Sequence, residues 1–235
     1  WAYFLDVDGT LINLAETPQS VVIDTSLLDL VGNLYAASGG AVALVSGRSI
    51  SDLQSLIGMP QLPLAGLHGL ERRDSSGRLW IHAAPPLAKS EIRTALAPAL
   101  SRHAGLILED KGLTLAVHYR QAPQLAGYVH KTMRRFIVGK EHELELQCGK
   151  RVVEIKPVGI DKGTAVAEYA AELPFKGRQA VFIGDDLNDE HGFAEVNRLG
   201  GISVKVGQGP SCAQFRLPDV AAVRLWLGGA LKGTT

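Results

Sequence analysis

Cysteine is nearly absent: Cys148 and Cys212 are the only two in 235 residues, far apart and without metal-ligand spacing. That excludes a disulfide framework and a thiolate zinc centre, and it fits a reducing, cytoplasmic compartment. Net charge is absent too, with 24 Lys+Arg against 24 Asp+Glu. No basic excess is available to neutralise a row of nucleic-acid phosphates or an anionic membrane face, so neither is an expected partner and any anion must be bound locally. No apolar run reaches the roughly 18 residues of a membrane helix. The first residues lack the charged, apolar and small-residue order of an export signal, and a start at Trp1 rather than Met predicts that a short leader precedes it. Internal repeats and low-complexity stretches are also missing. What remains is the composition of a soluble globular protein, 46% hydrophobic and 20% charged, long enough for one large domain or a core with a smaller insert.

The chain alternates. Trp1 to Val7 is an apolar run that stops at Asp8-Gly9-Thr10, which predicts a buried strand ending at an acidic loop. Ser26 to Ala37 has helical spacing, Ala41 to Val45 is extended, Ser49 to Ile57 is helical and Leu62 to Leu67 extended, the pattern of right-handed parallel crossovers. The same alternation returns in helix Lys162 to Leu173, strand Gln179 to Ile183, helix Asp189 to Val196, strand Ile202 to Val206 and helix Val220 to Leu231. Residues 1–84 and 158–235 therefore form one α/β core, a doubly wound parallel sheet.

Residues 85–157 read differently, as helix (Lys89 to Arg102), two strands, helix (Leu125 to Val138) and two strands, an inserted α+β module. Leu113, Leu115, Val117 and Tyr119 face one way, and Thr114, Ala116, His118 and Arg120 the other. The same period of two puts Glu109 with Lys111, and Glu154 with Val152 and Lys156, on common faces. If the polar faces coincide, Glu109, Lys111, His118, Arg120 and Glu154 converge, with two helices over the apolar side.

Four short motifs carry chemistry. Asp6-Val7-Asp8-Gly9-Thr10 closes the first strand, and the period of two aims both carboxylates to one side, at the strand end where open α/β sheets bind ligands. Paired anions call for a shared proton or a divalent cation with hard oxygen ligands. A second cluster, Gly184-Asp185-Asp186-Leu187-Asn188-Asp189-Glu190, again follows a buried strand and implies a cation, although Asp189 or Asn188 could also cap the next helix. Ser46-Gly47-Arg48 follows the second strand, where a hydroxyl and amide N–H groups could hold an anion. Lys162 opens the late helix and offers a point charge to a phosphate oxygen.

In order and position these motifs resemble the haloacid dehalogenase phosphatases. The resemblance implies that Asp6 is the nucleophile, that Asp8 is the acid/base, and that Mg²⁺ is held by Asp6, the Asp8 carbonyl and Asp185, with Asp186 and Asp189 in the same metal-facing motif. Ser46 and Lys162 would hold the phosphoryl oxygens. Response-regulator receivers share the ingredients but place adjacent acids after the first strand and have no room for the insert.

The insert narrows the resemblance. Leu64-Ala65-Gly66-Leu67-His68-Gly69-Leu70-Glu71, Glu109-Asp110-Lys111-Gly112, His118-Tyr119-Arg120-Gln121-Ala122-Pro123 and Val153-Glu154-Ile155-Lys156-Pro157 look like segments of the trehalose-6-phosphate phosphatases, the enterobacterial branch in particular. Such a protein would act on a small-molecule substrate, trehalose 6-phosphate, with a cap that closes over the core, and it would be a monomer. Glu109, Lys111 and Glu154 would bind sugar hydroxyls, joined by His118, Arg120 and Lys150 from the insert and by Gly47, Arg48, His68 and Gly69 from the core. Two positions depart from the family's usual pattern: Asn188 stands where Thr is common, and Val7 where an aromatic is common and where the side chain should face the core. Phosphatases for sucrose phosphate or mannosyl-phosphoglycerate, and a non-catalytic sugar-phosphate binder, are the competing readings.

Overall fold

A computed structural model describes residues 1–15, 21, 23–85 and 87–232. The chain divides into two compact units, Trp1–Ile81 with Ile160–Thr235, and His82–Gly159. Among the described residues no helix is long and apolar enough to cross a membrane.

The first unit contains β1 (Ala2–Leu5), α1 (Thr25–Ala37), β2 (Val42–Val45), α2 (Ile50–Ile57), β3 (Leu64–Gly66), β4 (Glu71–Arg73) and β5 (Leu79–Ile81). The chain returns to it after the insert. An eight-stranded sheet results, in the order β12 (Phe215–Leu217), β11 (Ile202–Val206), β10 (Ala180–Gly184), β1, β2, β3, β4 and β5. Strands from β12 to β3 run parallel, and β4 and β5 add an antiparallel edge. Every residue of β1, β2 and β10 is buried, because helices cover both faces and leave no strand side for polar groups. Alternation divides the core cleanly. Tyr3, Leu5, Val7, Val42, Leu44, Val181 and Ile183 pack with α1, α2 and the last helix. Ala2, Phe4, Ala43, Val45, Ala180 and Phe182 pack with Val166, Tyr169, Phe193 and Val196 on the other face. Each large side chain so buried stabilises the unit by about 1.5–3 kcal/mol. Val7 faces the first cluster, as its place between two acids requires.

The second unit contains α3 (Lys89–Leu100), β6 (Ile107–Asp110), β7 (Leu115–His118), α4 (Ala126–Arg135), β8 (Leu144–Gly149) and β9 (Val152–Pro157). Its antiparallel sheet runs β6-β7-β9-β8. Leu115, Val117, Val153 and Ile155 meet Ile92 and Leu96 of α3 and Val129 and Met133 of α4 in one apolar cluster.

The chain then forms α5 (Lys162–Ala170), β10 (Ala180–Gly184), α6 (Glu190–Arg198), β11 (Ile202–Val206), β12 (Phe215–Leu217) and α7 (Val220–Lys232). Three details differ from the sequence reading. The β4–β5 hairpin and β12 were not anticipated, because three-residue strands such as Glu71-Arg72-Arg73 show no alternation to read. Asp189 stands at the N-cap position of α6 but its side chain makes no cap hydrogen bond to that helix; it instead completes a capping box with Asp186, which caps a 3₁₀ turn over Leu187–Asp189 that leads into α6. Finally, β7 starts at Leu115, so Leu113 and Thr114 belong to the turn before it.

Candidate active site

The sheet order reverses at β1, with β2 on one side and β10 on the other. At such a switch point the two loops leaving neighbouring strands turn to opposite faces and leave a crevice beyond their C-terminal ends. Asp6 sits there, 4% exposed, its amide donating to Ile183 O at 3.0 Å. By alternation it shares the side of Phe4, and hence of α5. Lys162, first residue of α5 and 4% exposed, donates to Asp6 Oδ1 at 2.6 Å and to Asp189 Oδ1 at 2.6 Å. A lysine at a helix N-terminus is unfavourable beside the helix dipole, and these two carboxylates offset that cost. Asp161 fixes the helix start, its side chain accepting from the Thr164 amide at 2.9 Å.

Asp189 is an anchor. Its second oxygen accepts from the amides of Asp185 and Asp186, each at 2.8 Å, so it shapes the loop that presents Asp185. Ligand oxygens of Asp6, Asp185 and Asp189 lie within 4.8 Å of one another. Gly9 makes this possible: it has φ +86°, and a Cβ there would lie 2.0 Å from Asp185 Oδ2. Three buried carboxylates thus face one ammonium. Burial first, and then the Asp189 and Asp185 charges, push the Asp6 carboxyl well above the usual carboxylate range against the pull of Lys162. Burial alone would lower the Lys162 pKa, but the charges and hydrogen bonds of Asp189 and Asp6 raise it. The surplus of negative charge and the hard oxygen donors suit a divalent cation such as Mg²⁺.

The other core residues surround this cluster. Asp8 receives both arms of the Arg48 guanidinium, Nε to Oδ2 at 2.6 Å and Nη2 to Oδ1 at 2.7 Å. Ser46 is 1% exposed and follows β2, whose register Leu5↔Leu44 carries it to the same sheet edge. Its Oγ accepts from the Arg48 amide at 3.2 Å. His68 is buried against Gly47, where a Cβ would lie 2.6 Å from the ring, and it donates its amide to Ser46 O at 3.0 Å. Both Leu67 (φ 48°) and His68 (φ 60°) occupy the left-handed region, a strained conformation for side-chain-bearing residues that is held by the packing around it. Gly69 fits where a Cβ would meet Asp161 O at 2.6 Å, so it lets this turn abut the cap of α5. Asp186 directs a carboxylate oxygen to the Leu187 amide at 2.8 Å.

In the second unit, the register aligns Glu109 with Ala116 and Ala116 with Glu154, a row across three strands whose small central residue leaves space between two carboxylates. Lys111 occupies it, 3.0 Å from Glu154 Oε2 and 4.0 Å from Glu109 Oε2. His118 Nε2 lies 2.6 Å from Glu109 Oε2. Burial would raise the Glu109 pKa, but the His118 hydrogen bond and the Lys111 charge bring it below the ordinary value. Arg120 and Lys150 stand apart from this row, in turns, with Arg120 Nη2 donating to Lys150 O at 3.3 Å.

Three residues escaped the sequence reading. Thr10, fully buried, donates to Asp6 Oδ2 at 3.1 Å. Lys205, 5% exposed, donates to the Asp185 carbonyl at 2.5 Å. Its signal was a lone charge in the apolar strand Ile-Ser-Val-Lys-Val. Thr114 donates to Glu154 Oε1, and its signal was its place on the face of His118.

The architecture is that of the haloacid dehalogenase phosphatases. A phosphatase of that superfamily from Bacteroides thetaiotaomicron, BT1666, shares the fold at TM-score 0.62 and 18% identity, over 99% of this chain and 94% of that one. The family model for trehalose-phosphatase matches residues 4–221; the chain belongs to the trehalose-phosphatase family and is a phosphoric monoester hydrolase. It is 45% identical to the trehalose-6-phosphate phosphatase of Escherichia coli K12 over 227 residues, 97% of this chain and 85% of that protein. A probable trehalose-phosphate phosphatase of Sinorhizobium fredii is 44% identical over 208 residues, 88% of this chain and 78% of that protein. The C-terminal domain of the Candida albicans trehalose-6-phosphate phosphatase has the same fold at TM-score 0.86 and 23% identity, covering 99% of this chain and 91% of that one.

Proposed function

We propose that the chain hydrolyses trehalose 6-phosphate to trehalose and inorganic phosphate through an aspartyl-phosphate intermediate, with Mg²⁺ as cofactor. The observation that carries this reading is the contact of Asp6 with Lys162, 2.6 Å across 156 residues of sequence, inside a cluster of carboxylates at the sheet's switch point. An Asp6 oxygen attacks phosphorus and the bond from phosphorus to the sugar oxygen breaks, with Asp8 supplying a proton to that oxygen. Water then attacks the phosphorus of the acyl phosphate, its proton passes to Asp8, and phosphate leaves with Asp6 restored. Asp6, Asp185 and the Asp8 carbonyl would hold the metal, with Asp189 positioning the loop. The metal would offset the repulsion between a phosphate dianion and an anionic nucleophile. Lys162 and Ser46 steady the phosphoryl oxygens as charge redistributes.

Arg48 holds both oxygens of Asp8, so proton transfer requires the guanidinium to release one of them. Recognition of the sugar falls to the row Glu109, Lys111 and Glu154 of residues 82–159, the substrate-specificity unit. Phosphate release measured with Mg²⁺ and with EDTA over a panel of sugar phosphates tests the reading. Metal-dependent release selective for trehalose 6-phosphate and lost in Asp6→Asn is expected; release from the panel but not from trehalose 6-phosphate would refute the substrate.

A further inference from the structure

The row of charges in the second unit is flanked by two further hydrogen-bond donors, His118 at Glu109 and Thr114 at Glu154. Glu109 Oε2 receives His118 at 2.6 Å and faces Lys111 at 4.0 Å, so this one oxygen is engaged on two sides. A carboxylate only accepts, so the His118 Nε2 carries the hydrogen and donates. At the other end, Glu154 is 3% exposed and Thr114 fully buried. Thr114 Oγ1 donates to Glu154 Oε1 while Lys111 donates to Oε2 at 3.0 Å. Each glutamate therefore has its own hydrogen-bond donor, and both lie beside one ammonium. A glutamate side chain has rotamer freedom costing about 1.5–2 kcal/mol to freeze, and a carboxylate held in advance does not pay it again when a ligand arrives.

We propose that His118 and Thr114 are positioning residues that hold Glu109 and Glu154 ready for sugar hydroxyls and make no contact with the sugar themselves. The proposal rests on the reading that these glutamates bind the sugar. The structural arrangement predicts a particular pattern of non-additivity. Residues that act through one another give coupled effects in a double-mutant cycle, whereas two independent ligands of the sugar give additive ones.

The experiment determines KM and kcat for trehalose 6-phosphate in Glu109→Gln, His118→Ala, the double variant and His118→Gln, with the parallel set Glu154→Gln, Thr114→Val, their double variant and Thr114→Ser. Thermal melting of every variant confirms folding. His118→Ala is expected to raise KM about tenfold, equivalent to about 1.4 kcal/mol, with kcat changed less than twofold. Adding it to Glu109→Gln should raise KM no further. Gln at 118 and Ser at 114, which keep a donor, should restore most of the affinity. Additive KM effects in both cycles, or no KM effect from His118→Ala and Thr114→Val in folded proteins, would overturn the proposal. If Glu109→Gln and Glu154→Gln both leave KM unchanged, the recognition reading fails and takes the proposal with it, an outcome distinct from additivity.

Discussion

The two polar clusters of this chain are built on opposite plans. The core cluster draws Asp6, Lys162, Asp185 and Asp189 from three separate segments, brings them to the ends of parallel strands, and gathers three carboxylates around Lys162, with Lys205 at the Asp185 carbonyl. The cluster in residues 82–159 lies across three adjacent antiparallel strands, and its two glutamates are matched by Lys111 and His118. Three carboxylates crowded together at a switch point suit a cation and bond-making. Glutamates each held by a hydrogen-bond donor on a sheet face suit the hydroxyls of a neutral polyol. On the proposed function, the difference assigns chemistry and recognition to separate scaffolds, so substitutions should separate kcat from KM.

The largest effect expected is at the core. Asp6→Asn should lower kcat by about a thousandfold or more while the protein still folds, since a nucleophile is lost and nothing replaces it; steady-state phosphate release checks this. A comparable loss of affinity for the sugar phosphate would blur the comparison. Gly9→Ala comes next. A Cβ 2.0 Å from Asp185 Oδ2, on a backbone with φ +86°, must displace that carboxylate, so Mg²⁺ affinity measured by calorimetric titration should fall at least about tenfold, a loss of about 1.4 kcal/mol.

Lys111→Met should act in the other direction. It leaves two partly buried glutamates without their shared cation, and KM should rise by about 10- to 100-fold, the range expected for breaking a charged hydrogen bond of about 1.5–3 kcal/mol, with kcat nearly kept. The smallest effect is outside both clusters. Asp74, in the β4–β5 turn, accepts from the Ser76 and Arg78 amides and from the Trp80 indole. Burial is the largest single influence and opposes ionisation, but the hydrogen bonds from Ser76, Trp80 and Arg78 together outweigh it and lower the pKa from 3.8 to about 2. A depressed carboxylate pKa stabilises the fold above the unfolded value and loses that contribution as pH falls through the folded one. The hairpin should therefore weaken between about pH 4 and pH 2 in the wild type, and Asp74→Asn should flatten that part of the tryptophan fluorescence profile.

Much of the core was legible because its chemistry follows buried apolar strands. Asp6, Ser46 and Asp185 each stand just beyond such a strand, and parity alone placed Val7 in the core and its two flanking acids on the opposite side of the strand. What could not be read was partnership across the fold. Nothing local marks Thr10 as a donor to Asp6, or Lys205 as the support of the Asp185 carbonyl, because both contacts exist only once the strands are aligned. The acidic run gave the helix start to within one residue, but not the 3₁₀ turn capped by Asp186 before it or the inward turn of Asp189 that holds amides and lysine. In the inserted unit the period of two correctly gathered Glu109, Lys111, His118 and Glu154. Arg120 was assigned to the same face, but β7 ends at His118 and the following turn carries Arg120 toward the Lys150 carbonyl.

The division of labour is tested most directly by the ratio of kcat/KM for trehalose 6-phosphate to kcat/KM for p-nitrophenyl phosphate, in the wild type and in the Glu109→Gln, Glu154→Gln double variant. Two charged hydrogen-bonding groups of about 1.5–3 kcal/mol each predict that the ratio falls at least a hundredfold, through loss of the sugar phosphate's rate far more than the small ester's. An unchanged ratio, with both substrates falling together or neither falling, would contradict the account.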